Sequence, residues 1–314
     1  METVRLESLE PRGWPPPAVT VGNFDGVHRG HQALVSATLE AAREMEGRAV
    51  VLTFDPHPAR VLFPGSPPSA LMTPRQKAEI LAELGVKALA VLPFTAAVAA
   101  LSPEAFVRDV LLQALRARKV VVGETFRFGR GRAGDVAVLR RLGRELGFEV
   151  DSLPPVLEGG APVSSSRVRD ALAAGDVALA RELLGRPFFV DGRVVRGEGR
   201  GRGLGIPTAN LETENETLPG GGVYAGYCRL ARGAVVPSVV NLGRRPTFGA
   251  GGLALEAHLL DFEGDLYGAA LRLEFHHRLR EERRFESVPA LLAQIGDDVS
   301  RARLLLSGPP TGTV

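Results

Sequence analysis

Residues 19–31 read VTVGNFDGVHRGH, and this stretch decides the fold of the first half of the chain. Val19 to Val21 make a short apolar strand, Gly22 and Gly26 permit a sharp backbone path, and His31 opens an amphipathic run through Leu34, Val35, Leu39 and Ala42. The turn therefore sits at a helix N-terminus, where unpaired N–H groups and the positive end of the helix dipole favour a phosphate. Gly30 keeps a Cβ out of the way, and His28 and His31, three residues apart, project both imidazoles to the side where an anion would lie. Such a pair can stabilise charge developing on a phosphate under attack, with no covalent intermediate. A glycine turn carrying two solvated histidines is the plainer alternative. Zinc is not expected, because no cysteine or third histidine lies nearby at ligand spacing.

The segment GNFDGVHRGH resembles the signature of the HxGH nucleotidyltransferases, and its fuller wording is similar to the prokaryotic bifunctional FAD synthetases. These combine FMN adenylyltransferase with riboflavin kinase. The resemblance implies catalytic roles for His28 and His31, ATP contacts at Gly22, Asn23, Phe24, Asp25 and Gly30, and flavin contacts at Phe54 and His57.

With 314 residues, 45% of them hydrophobic, the chain can bury two ordinary cores. A formal charge of +2 and a pI near 9.0 are mildly basic, but the arginines are spread through both halves, which argues against a nucleic-acid surface. Cys228 is the only cysteine, so no intramolecular disulfide forms and a reducing cytoplasm fits. The N-terminal METVRLESLEPRGWPPP lacks the apolar core of a signal peptide, and no apolar run reaches membrane-spanning length. A cytoplasmic enzyme with small-molecule partners is expected, with no membrane or nucleic-acid partner and with room for a homo-oligomer.

Downstream, strands are expected at Arg48 to Phe54, Val86 to Leu92, Lys119 to Val122 and Phe148 to Leu153, alternating with helices after Thr73-Pro74 and Ser102-Pro103. Alternation predicts an α/β, Rossmann-like parallel sheet with ligands at the C-terminal strand ends. The loop GETFRFGRGRAGD, residues 123–135, offers Phe126 and Phe128 as flat faces for a ring. It resembles the family's GxxFxFGxxxxGD segment, with Thr125 where Asn or Asp is common; the resemblance implies a flavin contact at Phe128. VSSSRVRDAL, from Val163, places hydroxyls and arginines at a helix start suited to phosphates, or simply to capping. Its likeness to the family's SSTxxR implies ATP contacts at Ser164, Ser165, Ser166 and Arg169. A short helix from Asp176 to Leu184 and a hinge at Gly185-Arg186-Pro187 close this half, giving domains 1–185 and 186–314.

From Phe188 the period changes to that of strands, in FFVDGRVV, VYAGYCRL, AVVPSVVNLG, LALEAHLLDF and ALRLEFHHRL. An antiparallel β-barrel is the economical expectation, with a helix from Glu286 to Leu306 packing on it through Leu291, Leu292, Ile295, Val299, Leu304 and Leu305. The loop GEGRGRGLGIPTAN, residues 197–210, lacks the ending of a Walker A loop. It resembles the glycine-rich flap and PTAN motif of riboflavin kinases, and PGGGVYA, NLGRRPTF and DLYG follow in that family's order. The resemblance implies ATP contacts at Gly197, Gly203, Thr208 and Asn210, Mg²⁺ held by Thr208 and Asn210, Glu256 as the catalytic carboxylate, and flavin contacts at Arg280 and Phe285. The expected activity is ATP-dependent conversion of riboflavin to FMN, then of FMN to FAD. An enzyme with the kinase alone, or a non-catalytic flavin- or RNA-binding regulator, are the other readings.

Overall fold

A computed structural model of the chain describes residues 1–7, 14–197, 205–231, 233–244 and 253–308. Its contacts divide it into two units, residues 1–70 with 74–164, and residues 71–73 with 165–313.

In the first unit, strands β1 (Glu2–Arg5), β2 (Pro17–Val21), β3 (Arg48–Asp55), β4 (Ala88–Pro93), β5 (Lys119–Gly123) and β6 (Glu149–Leu153) form one sheet in the order β1-β4-β3-β2-β5-β6. Every neighbouring pair is parallel. Its helices are α1 (Arg29–Glu44), α2 (Pro58–Leu62), α3 (Pro74–Glu83), α4 (Ala96–Ala99), α5 (Pro103–Ala105) and α6 (Val136–Leu146), and a small hairpin, β7 (Leu157–Glu158) with β8 (Ala161–Pro162), follows β6. The central strands are apolar on both faces, as a covered parallel sheet requires: Val19, Val50, Leu52, Val120 and Val122 lie in one buried cluster, and Ala18, Ala49 and Val121 in another on the opposite face. Chain order reverses around β2, which pairs with β3 on one side and β5 on the other. The switch-point crevice therefore opens at the C-terminal ends of β2 and β5, where the stretch 22–28 and the loop 124–135 begin.

Three local outcomes differ from expectation. Helix α1 starts at Arg29 instead of His31, because His28 caps it. The helix after Ser102 passes from α5 into a π-helix over Phe106–Ala114, which the apolar spacing alone does not distinguish from an α-helix. Strand β1, mostly exposed with one apolar residue, Val4, was not foreseen.

In the second unit, α7 (Ser165–Ala173) and α8 (Val177–Leu184) precede β9 (Phe188–Val195), β10 (Ala209–Thr213), β11 (Gly222–Leu230), β12 (Val235–Arg244), β13 (Leu253–Leu259), β14 (Ala270–Arg280) and α9 (Val288–Leu305). The six strands close an antiparallel barrel, ordered β10-β13-β12-β11-β14-β9 and sealed by β9 against β10. Helix α8 packs on α7 and on β14, so the packing divide at 164/165 lies ahead of the expected boundary at 185/186. Gly185 is the left-handed C-cap of α8 and Arg186 is buried, so Gly185-Arg186-Pro187 is a tight turn into β9 and not an exposed hinge.

Helix α9 docks differently from its apolar pattern. Val299, Ala302 and Leu306 pack on Val223, Ala225, Tyr227 and Val239, while Leu304 and Leu305 are exposed. Its most deeply buried charge, Asp298, pairs with Arg280 of β14 at 2.8 Å.

Candidate active sites

The first site is built on the turn after β2. Phe24 and Val27 have φ of 48° and 40°, and Gly26 has 83°, so three residues of this turn are left-handed. Holding a bulky residue there costs roughly 1–3 kcal/mol, and burying the Phe24 ring completely returns about as much, so packing sustains the strained turn. Its carbonyl framework is also pinned: Thr53 Oγ1 and Lys77 Nζ both donate to the Asn23 oxygen, at 3.0 and 2.7 Å. The Asn23 side chain lies 3.0 Å from His57 Nε2, and His57 Nδ1 accepts from the Ala59 N–H to cap α2.

This turn delivers His28 as the N-cap of α1, with its Nδ1 accepting the His31 N–H at 3.3 Å. A ring nitrogen that accepts carries no proton, so the N–H of neutral His28 is at Nε2. The His28 and His31 rings stack with centroids 3.7 Å apart and planes 18° apart, and Phe24 lies 4.9 Å from His31. Gly30 lies against this pair: a Cβ there would sit 3.2 Å from both Cε1 and Nδ1 of His28. His28 is only 6% exposed, and the buried Nδ1 of His31 has no hydrogen-bond partner among the described residues. Burial, then the charges of His28 and Lys77, hold the His31 pKa well below its ordinary value, so its imidazole is neutral at pH 7. Burial also lowers the Lys77 pKa, against the opposing pull of Asp25 and Asp55.

The second site lies on the outer face of the barrel. In an antiparallel sheet directly opposed residues share a face, and the register sets Asn210 against Glu256 and Glu256 against Asn241. Asn241 opposes Val223, which packs beneath α9, so this polar row continues the outward face. Gly197 covers Asn210 so closely that a Cβ would lie 2.3 Å from its Nδ2. Residues of the opposite, inward face, Ala209, Ala257 and Leu259, line a small cavity together with Thr208, Asp265 and Tyr267.

A FAD synthetase model matches residues 11–167 and a riboflavin kinase model matches residues 184–306. The bifunctional riboflavin kinase/FMN adenylyltransferase of Pseudomonas fluorescens is 43% identical over 97% of this chain and 98% of its own. The chain belongs to the bifunctional riboflavin kinase/FMN adenylyltransferases. The Escherichia coli K12 member is 41% identical over 91% of each chain. A solved structure described as a macrolide-efflux protein from Streptococcus pneumoniae superposes with a TM-score of 0.89 at 31% identity, covering 96% of this chain and 99% of that one. Among the described residues, no helix here is long and apolar enough to cross a membrane.

The structure brings some of the expected residues together and separates others. Gly22, Asn23, Phe24, Asp25, Gly30, His28 and His31 form one compact turn at the start of α1. Phe54, the last but one residue of β3, packs edge-on against Phe94 just past β4, and His57 reaches Asn23. Phe128 departs from expectation: it is 7% exposed within the apolar core, stacked on Phe126 and flanked by Phe106, so its ring offers no open face. The glycine and aspartate of that loop serve packing and capping, Gly134 against the Phe128 ring and Asp135 Oδ1 accepting from Val138 N at 2.9 Å. Ser165, Ser166 and Arg169 lie in the first turns of α7, with Ser164 just before it.

In the barrel unit, Thr208 is exposed and precedes β10, while Arg280 is drawn to Asp298 with its guanidinium 5.6 Å from the Phe285 ring. Gly203 lies outside the described residues. Sequence reasoning missed Lys77, which bonds to the Asn23 carbonyl, since a lone lysine on an amphipathic helix carries no spacing signal.

Proposed function

We propose that the two reactions of flavin cofactor synthesis are divided between the modules 1–185 and 186–314, the first using the imidazole turn after β2 and the second the polar row on the barrel. In the C-terminal module the 5′-hydroxyl of riboflavin attacks the γ-phosphorus of ATP, its proton passes to Glu256, and ADP leaves. In the N-terminal module an oxygen of the FMN phosphate attacks the α-phosphorus of a second ATP, and the bond to pyrophosphate breaks, giving FAD. His28, with its proton on Nε2, and neutral His31 donate hydrogen bonds to the phosphate as charge builds there. The stacked, capped and desolvated imidazole pair at the switch point is the observation that carries this assignment.

Thr208 and Asn210 present a hydroxyl and an amide oxygen, hard neutral donors that suit Mg²⁺, which takes few protein ligands and completes its shell with water and phosphate. When bound, Mg²⁺ neutralises charge on the transferring phosphoryl group. Gly197 and Gly203 are assigned to the same nucleotide on the resemblance alone. Phe54 and His57 are assigned to FMN, Arg280 and Phe285 to riboflavin, and Ser164, Ser165, Ser166 and Arg169 to ATP phosphates on the chemistry of a helix start. Scattered charge and a single buried thiol, Cys228, support a cytoplasmic enzyme of small molecules. Purified protein given riboflavin, ATP and Mg²⁺ accumulates FAD, and given FMN in place of riboflavin still forms it. Binding of both flavins without either product would favour a non-catalytic regulator.

A further inference from the structure

Thr208 lies outside every strand. Strand β10 begins one residue later, and the preceding Gly205 is left-handed, with φ of 76°. A hydroxyl that meets a nucleotide from such a segment is only as well placed as the segment's tether. Among the described residues, one side chain hydrogen-bonds to residues 205–208: His258 Nδ1 lies 2.8 Å from the Pro207 carbonyl oxygen. A carbonyl only accepts, so Nδ1 carries the proton and the tautomer is fixed. Strand alternation puts His258 on the same outward face as Glu256, two residues before it, so one strand presents the carboxylate and anchors the peptide leading to Thr208. Asp261, the nearby carboxylate, is bound by Arg303 at 2.6 and 2.7 Å and does not compete for the ring.

We propose that His258 is a positioning residue for phosphoryl transfer, holding Thr208 against the nucleotide by donating its Nδ1–H to Pro207. This rests on the reading of Thr208 and Glu256 as the kinase centre. The three variants His258→Ala, His258→Asn and His258→Gln separate it from general packing, since an asparagine amide can stand in for Nδ1 whereas glutamine stands in for Nε2. FMN formation is followed against Mg-ATP concentration, with FAD formation from supplied FMN as the check that each variant is folded. His258→Ala raises the KM for Mg-ATP about ten-fold, the equivalent of one good hydrogen bond, with a smaller fall in kcat. His258→Asn restores most of the loss and His258→Gln does not. A wild-type KM in His258→Ala, or equal behaviour of the Asn, Gln and Ala variants, overturns the proposal. Glu256→Gln run alongside locates the failure: if it abolishes FMN formation while His258→Ala is unaffected, the tether alone is wrong. If Glu256→Gln retains full kinase activity, the assignment of the centre falls and the tether with it.

Discussion

Substituting Gly30 by alanine should separate stability from adenylyl transfer. Gly30 lies in the first turn of α1 with no left-handed requirement, so alanine gains about 1 kcal/mol of helix propensity. The added methyl would sit 3.2 Å from His28 Cε1 and Nδ1, closer than ordinary carbon contact, and must push the imidazole a few tenths of an ångström. The bond it disturbs, from His31 N to His28 Nδ1, is already long at 3.3 Å, and losing that cap costs about 1 kcal/mol. The two terms nearly cancel, so the melting temperature should hardly move. Catalysis has no such compensation: misplacing a group that meets the reacting phosphate by about 1 Å costs on the order of a hundred-fold in rate, so a few tenths of an ångström costs roughly three- to ten-fold. FAD formation from FMN and ATP should therefore fall by roughly that factor, while FMN formation from riboflavin in the same preparation is unchanged. A Gly30→Ala protein with wild-type FAD formation would refute the claim that the His28 ring position matters.

Neutral His31 should make stability depend on pH in a defined direction. Its folded pKa is depressed, so below the unfolded value of about 6.5 the unfolded chain binds the proton that the native ring refuses, and stability falls as pH drops through that window. Melting temperatures from about pH 7.5 to about pH 5 should therefore decline less steeply in His31→Gln than in the parent, and parallel slopes would contradict the burial assigned to the ring. Lys77→Met removes a donor from the Asn23 carbonyl and a cation near His31, leaving Thr53 Oγ1 in place. FAD formation should drop about ten-fold and the imidazole pKa rise, seen as a displaced acid limb in the pH–rate profile, with Lys77→Arg closer to the parent.

Strand-helix alternation made the first unit legible in the sequence, and period-two patterning did the same for five of the barrel strands. The sixth, β10, hid behind the IPTAN motif because its alternation runs over only Ala209, Asn210, Leu211 and Glu212, too short to stand out. The imidazole pair was readable because its geometry is local: a strand end, a turn and a helix start fix two residues three apart. Lys77 was not, since its contact with Asn23 spans 54 positions and depends on how α3 lies beside β3. Phe128 misled for a related reason. An aromatic in a glycine-rich loop reads as exposed, yet Gly134 folds that loop back so that the ring completes the core. In α9 the apolar spacing pointed to Leu304 and Leu305, whereas the Asp298–Arg280 pair and the small Ala302 set the docked face.

The division of labour is tested most directly by one product analysis on two variants, His28→Ala and Glu256→Gln, each incubated with riboflavin, ATP and Mg²⁺ and again with FMN, ATP and Mg²⁺. The account predicts that His28→Ala converts riboflavin to FMN and stops there. It predicts that Glu256→Gln makes nothing from riboflavin yet still makes FAD from supplied FMN. If His28→Ala forms FAD at the parent rate, or if either substitution abolishes both products in a protein that melts normally, the assignment of one site to each reaction is contradicted.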